Sequence, residues 1–459
     1  MKWNSLIGIL LMIGLSSCAT SSPRSPQAFR LRPVEQRTYR NGLKVLFIPD
    51  HTLPKISFAM VLPSGASADP KGEEGLMSLM VALLDQGAAA KSAMQVADDF
   101  AQLGSSFHAS VAQDYTVLST SGLSQYHSEL LDLFAEIVTK PAFQNEEVER
   151  KKSQFLSKIQ QLQDQPGPYA DLKFSQELYQ GSVYGRPILG TEATLGPLSR
   201  TQVIKQYFEY FRPNNAILAV MGDFDDNMRA DIGKAFGGWV KADVTPPPKS
   251  FVQASSGNQY KIISKPGLKQ AQIHIGQLGI PRNHPDFLKL RLANVILGGD
   301  FASRLNQKVR DDLGLTYSIS SQLETYRDIG GVDVSTFTRQ DKVAETILNS
   351  IKVIRDFQEK GVTEEELASA KALMIGQFPA AIETVDRLAL NMMLLRVYGV
   401  SDSYLRDYIK NVNAITLKDL NETIARYIKP DQLKVLVYAN EKELGSQLKS
   451  VGKFQSQAL

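Results

Sequence analysis

Leu43-Lys44-Val45-Leu46-Phe47-Ile48-Pro49 has the pattern of Tyr260-Lys261-Ile262-Ile263-Ser264-Lys265-Pro266, and the two prolines stand 217 positions apart. The match returns far downstream. Tyr210-Phe211-Arg212-Pro213 before Ala216-Ile217-Leu218-Ala219-Val220 parallels Tyr427-Ile428-Lys429-Pro430 before Leu433-Lys434-Val435-Leu436-Val437, again 217 positions apart. Two distant matches at one offset imply two copies of one domain, each opening and closing with a strand. Between them lie Thr245-Pro246-Pro247-Pro248-Lys249-Ser250 and Ala254-Ser255-Ser256-Gly257, which no helix interior or central strand accommodates. The reading is therefore a domain over 33–243, a linker over 244–257 and a second domain over 258–456.

Within the first copy, 56–62 reads as a strand and 73–86 as a helix apolar nearly all round, hence buried. An amphipathic helix at 93–103 and alternation over 106–121 follow. Helices are expected at 125–138, 145–163 and 200–208, before a strand at 216–222. Strands grouped with several helices per copy predict an α+β fold, a mostly antiparallel sheet with helices packed on one face. The 459 residues are 43% hydrophobic and 22% charged with a net charge of +3, which excludes disorder. No Lys/Arg run is long enough for a nucleic-acid footprint, so no nucleic-acid partner is expected.

The first eighteen residues form a unit of their own: Lys2, an apolar stretch over 6–15, then Ser16, Ser17 and Cys18. That is an export signal, too short in its apolar part to span a membrane. Leu15-Ser16-Ser17-Cys18 resembles a bacterial lipobox, implying cleavage before Cys18, lipidation of its thiol and a flexible tether over 19–32. The resemblance, with Ala19 next, implies a lipid-anchored protein of the cell envelope, at the outer membrane facing the periplasm. A plain secretory signal with an incidental Cys is the alternative. Cys18 is the only cysteine, so disulfides, Cys-ligated zinc and thiol catalysis are excluded from the folded part.

The order of landmarks resembles the insulinase/pitrilysin family of zinc peptidases in its short, mitochondrial-processing-like form. The resemblance rests on Asn41-Gly42-Leu43, the 65–75 segment, Asp114-Tyr115-Thr116, Pro141-Ala142-Phe143, Tyr184-Gly185-Arg186-Pro187-Ile188-Leu189-Gly190-Thr191 and Gly222-Asp223-Phe224. It implies two similar α+β domains enclosing a cavity. The family's buried helix carries His-x-x-Glu-His, with a further Glu about 76 residues on, the central Glu being general base to zinc-bound water. Aligned on Gly75, this chain has Ser78 and Ala82 in place of the histidines, Val81 in place of the base and Lys158 in place of the last carboxylate. No metal and no catalytic residue are expected here. His51, His108, His127, His274 and His284 offer no pair at ligand spacing; His108 sits in an alternating segment, and His284 precedes Pro285 and a helix-capping Asp286.

Val309-Arg310-Asp311-Asp312-Leu313-Gly314-Leu315-Thr316-Tyr317 resembles the family's Arg and Tyr pair, seven apart, that reaches toward the bound peptide. By that resemblance Arg310 and Tyr317 donate hydrogen bonds to a substrate carbonyl or its oxyanion. Without it, Arg310 simply ends an exposed helix that Gly314 caps, and Tyr317 opens a strand. Some family members divide the work between two chains, one with zinc and one with the Arg and Tyr pair. The resemblance thus implies a subunit inactive by itself, with zinc in a paralogous partner and a peptide as substrate. A membrane-anchored peptide-binding or scaffold protein is the alternative.

Overall fold

The computed structural model describes residues 31–458; Cys18, the export signal and nearly all of the expected tether lie outside the described residues. Two six-stranded sheets organise the chain. The first joins β1 (Glu35–Thr38), β2 (Lys44–Pro49), β3 (Lys55–Leu62), β4 (Phe107–Val111), β5 (Thr116–Leu123) and β6 (Ile217–Gly222) in the order β1-β2-β6-β3-β5-β4. The second joins β7 (Gln259–Ser264), β8 (Gln270–Gly279), β9 (Ile319–Thr325), β10 (Gly330–Arg339), β11 (Lys434–Ala439) and β12 (Phe454–Ala458) in the order β12-β7-β11-β8-β10-β9. Five strands correspond between halves; β6 and β11 sit at the 217-residue offset end to end, whereas their parallel neighbours β2 and β7 stand 215 apart, so the offset read from Pro49 and Pro266 is two residues too long. The sixth differs: β1 precedes its repeat and runs antiparallel to β2, whereas β12 follows its repeat and runs parallel to β7. Both sheets are mixed but mostly antiparallel. From residue 237 to residue 258 there is neither helix nor strand.

Central strands are apolar on both faces because both faces are covered. In β2, Val45 and Phe47 enter the core made with the first domain's own helices, while Leu46 and Ile48 enter a cluster with Val385, Leu388, Ala389, Met392 and Met393 of the other half. Those five belong to helix Val385–Val397. The reciprocal contact is made by helix Pro166–Leu178, whose Tyr169, Ala170, Phe174 and Leu178 pack on Ile263, Leu436 and Tyr438 of the second sheet. Each half therefore closes the other half's sheet. Helix Pro166–Leu178 is absent from the sequence expectations, because Pro166-Gly167-Pro168 looks like a loop; proline at the first helical turn is in fact favourable, since no intrahelical N–H is lost there.

The crossing needs room. Gly276 lies beneath Phe174, where an added Cβ would stand 2.8 Å from the ring and 2.5 Å from the Val332 carbonyl oxygen. At Gly331 a Cβ would stand 2.3 Å from the Tyr179 hydroxyl. On the other seam, half-buried Ala59 of β3 packs against the cluster that contains residues of helix Val385–Val397.

Polar groups fasten the same seams. Buried His274 on β8 lies 3.0 Å by Nδ1 from Asp333 on β10 and 3.4 Å by Nε2 from Asp171 of the first half's helix, stacked on Phe174. Burial alone would lower its pKa, but the two aspartates together raise it. At the turn between β4 and β5, buried Asp114 accepts from the Arg327 backbone N–H at 2.7 Å and from the Tyr184 hydroxyl at 3.0 Å.

Two sequence expectations are corrected. The buried helix is Leu76–Ala82 rather than 73–86, because Gly75 takes φ 98° at its start and the chain turns after Leu83. The alternation over 106–121 is a hairpin of β4 and β5, not one strand. Gly276→Ala should lower unfolding free energy by about 1–3 kcal/mol, read in denaturant titration, and both halves should melt in one transition.

Candidate functional site

The motif helix Leu76–Ala82 begins over a buried carboxylate. Asp69 accepts the Gly75 N–H at 2.9 Å and the Met77 N–H at 2.8 Å, with the Gln206 amide at 3.3 Å. Burial pushes its pKa up to about 7 against the pull of those backbone donors. The loop carrying Arg186 to Thr191 closes on this end: Arg186 donates to the Asp69 carbonyl at 3.1 Å, and Ser78 Oγ donates to the Ile188 carbonyl at 2.6 Å.

That contact decides whether the four motif positions fit zinc. The Ser78 hydroxyl is committed to the loop, and Val81 is buried in the first domain's apolar core. Ala82 ends the helix with only a methyl group, and Lys158 is exposed on helix Asn145–Leu162. None supplies a donor suited to the metal or a base, and an ammonium repels a cation. The residues present do not fit the group. Among the described residues no cluster of three His, Asp or Glu suits a metal elsewhere; His51 bonds to Asp223, and His108 to Ser106. Asp286 stands at a helix start, but its carboxylate receives Lys289 and the Tyr427 hydroxyl instead of capping the backbone.

Arg310 and Tyr317 come together in the second half. Arg310 lies in a π-helical stretch, Asn306–Asp312, rather than ending an exposed helix. Gly314 at φ 59° reverses the chain, with Leu315 N–H bonded to the Val309 carbonyl at 3.0 Å. Thr316 Oγ1 bonds to the Phe337 carbonyl at 2.6 Å, so Tyr317 projects from a pinned neighbour, two residues before β9 instead of opening it. Tyr317 is 81% exposed. The Arg310 guanidinium lies 4.1 Å from the Phe301 ring centre and 5.9 Å from that of Tyr317. Asp311 stands 3.5 Å from Nη1 without the alignment of a hydrogen bond, and Nη1 is buried with no hydrogen-bond partner. Among the described residues no hydrogen bond or ion pair joins Arg310 or Tyr317 to the motif helix.

Two family models match. The insulinase (peptidase family M16) model covers residues 44–192, and the model described as the peptidase M16 inactive domain covers 197–374. The chain belongs to the insulinase family. A Bacillus subtilis relative named an uncharacterized zinc protease is 24% identical over 88% of this chain and 98% of its own length. A Helicobacter pylori relative named a non-peptidase homolog is 23% identical over 87% and 92%. Among solved structures, a Pseudomonas fluorescens M16 inactive domain superposes with TM-score 0.81 at 26% identity, covering 88% of this chain and 98% of that one. A Helicobacter pylori protease superposes at TM-score 0.82 and 19% identity, over 89% and 100%. This chain is thus an insulinase-family member that lacks the catalytic motif.

Asp69 was not legible as part of the site, since only the folded turn brings it beneath the motif helix. Its acid is ionised in the unfolded chain above about pH 4 and protonated in the folded chain up to about 7. The stability it contributes is complete at low pH and is lost as pH rises through 7, on the order of a few kcal/mol. In Asp69→Asn, denaturant titrations between pH 4 and 8 should lose that slope relative to wild type.

Proposed function

We propose that the chain is the non-catalytic subunit of a two-chain zinc metallopeptidase, held at the outer membrane through lipidated Cys18 and supplying Arg310 and Tyr317 to peptide bound at a paralogue's metal. The observation that carries this reading is the pairing of a filled-in motif with an Arg and Tyr pair left open. Ser78 and Val81 are absorbed into helix packing and Ala82 offers only a methyl group, whereas Tyr317 stands in solvent and Arg310 retains a donor without an acceptor. The Arg310 side chain keeps 23% of its surface in solvent, and an arriving carbonyl or oxyanion gains charge-assisted hydrogen bonds from the part that is exposed. The zinc and the attacking water belong to the partner; this chain holds the substrate and the charge that develops on it.

The test is peptide hydrolysis with zinc analysis on this chain, on a family paralogue that carries His-x-x-Glu-His, and on the mixture. Hydrolysis should rise on mixing, with zinc tracking the paralogue. Tyr317→Phe should lower turnover by about a hundredfold while co-elution of the two chains is unchanged. A single chain that binds zinc and cleaves peptides would overturn the reading. If mixing changes nothing, a membrane-anchored peptide-binding or scaffold role takes its place.

A further inference from the structure

Both ring nitrogens of His274 face carboxylates, and the two carboxylates come from opposite halves. Nδ1 lies 3.0 Å from Asp333 on β10, and Nε2 lies 3.4 Å from Asp171 on helix Pro166–Leu178. The His274 side chain is 3% exposed and stacks on Phe174 of that helix with ring centres 5.0 Å apart. A carboxylate only accepts and a neutral imidazole has one N–H to give, so acceptors at both nitrogens are the geometry of an imidazolium. Glu324 on β9 joins the cluster, accepting the Tyr179 hydroxyl at 2.8 Å just past the end of the helix. The cations nearby are engaged elsewhere: Lys434 on β11 at the Glu177 carbonyl, Lys261 on β7 at the Glu177 carboxylate, and Lys173 over the Tyr169 ring. Opposite His274 in the ladder, β11 presents Leu436. On the other face of β8, Ile273 and Ile275 share an apolar cluster with Val343, Ile347 and Ile354 of helix Val343–Lys360.

We infer that His274 is a proton-controlled clasp between the halves: protonated, it bridges Asp171 of the first half and Asp333 of the second, and on losing its proton it loosens helix Pro166–Leu178 on the second sheet. Charge sets the direction. With the proton in place, one cation sits among three carboxylates. Without it, the remaining N–H serves one aspartate, and the other is left beside like charge. Burial pulls the His274 pKa down, but Asp333, Asp171 and Glu324 outweigh it and hold the folded value above the ordinary 6.5. The clasp is therefore complete below about pH 6.5 and is lost as pH rises through the folded value. Burial raises the Asp171 and Glu324 carboxyls too, so their ionisation works in the same direction. The apolar contacts of Tyr169, Ala170, Phe174 and Leu178 do not depend on the proton, so the helix opens more often rather than leaving the sheet.

The experiment is amide hydrogen exchange, read by mass spectrometry on the full chain from about pH 6 to about pH 9 and corrected for the intrinsic rate at each pH. Peptides covering helix Pro166–Leu178 report the clasp, and those covering β6 report global opening. Wild-type protection of the helix should fall about tenfold over that range, the worth of one charge-assisted hydrogen bond, while β6 changes less. Asp171→Asn changes a side chain that is 68% exposed, so the fold is kept, and its amide can donate to the Nε2 of a neutral ring. That variant should lose most of the fall, and His274→Gln should lose it as well; if His274→Gln does not fold, Asp171→Asn decides. Asp69→Asn, which acts on the motif helix, should leave the response of helix Pro166–Leu178 as it is. A fall no larger in the helix than in β6, or one that Asp171→Asn leaves unchanged, overturns the clasp.

Discussion

Each sheet in this protein has a second apolar face that its own domain does not cover. Helix Pro166–Leu178 closes the second sheet and helix Val385–Val397 closes the first. A large apolar side chain left exposed forgoes about 1.5–3 kcal/mol, and Phe174, Leu178, Leu388 and Met393 are each nearly or wholly buried by the exchange. Neither half is a complete domain in the energetic sense. The seam also explains the polar residues there: His274 with its two aspartates, and Asp114 with Arg327 and Tyr184, are buried groups made tolerable by partners drawn from both halves.

The same constraint shows why two copies can diverge in chemistry and remain one fold. Packing across the seam is required in both halves, helix Val385–Val397 against β2, β3 and β6 and helix Pro166–Leu178 against β8 and β11, whatever the chemistry of either half. The motif helix is under a different pressure. A metal site needs ionisable donors in a dry environment, which are costly unless the metal is bound. Without the metal, the stable outcome is an apolar helix, and Val81 and Met80 in the core with Ser78 bonded to a neighbouring loop meet that requirement.

Much of this was legible in the sequence because it depends on local pattern. The 217-residue offset recovers paired strands such as β6 and β11, and the runs in β2 and β3 mark central strands. What was hidden depends on long-range contact. Helix Pro166–Leu178 opens with two prolines and a glycine, and its apolar residues acquire meaning only against the other half's sheet. The outer strand β12 escaped because Phe454–Ala458 is nearly all exposed and lacks the apolar signal of the central strands. Arg310 and Tyr317 were picked out by the family resemblance of their segment, but Phe301, nine residues before Arg310, reaches them only through a loop that Asn306 ties down.

That loop has a counterpart in the first half. The motif helix Leu76–Ala82 follows β3 as the helical stretch that ends in the π-helical turn Val295–Gly299, just before Phe301, follows β8. In the first half this element is sealed beneath a loop, with Ser78 turned inward. In the second, Asp300 breaks the helix and the chain emerges with an aromatic ring in solvent above a cation. Bare exposure of Phe301 and Tyr317 costs the free protein hydrophobic burial, and the unmatched Arg310 donor costs it a hydrogen bond. The motif helix of the first half carries neither defect, its apolar residues lying in the core and its one hydroxyl bonded to the loop above it.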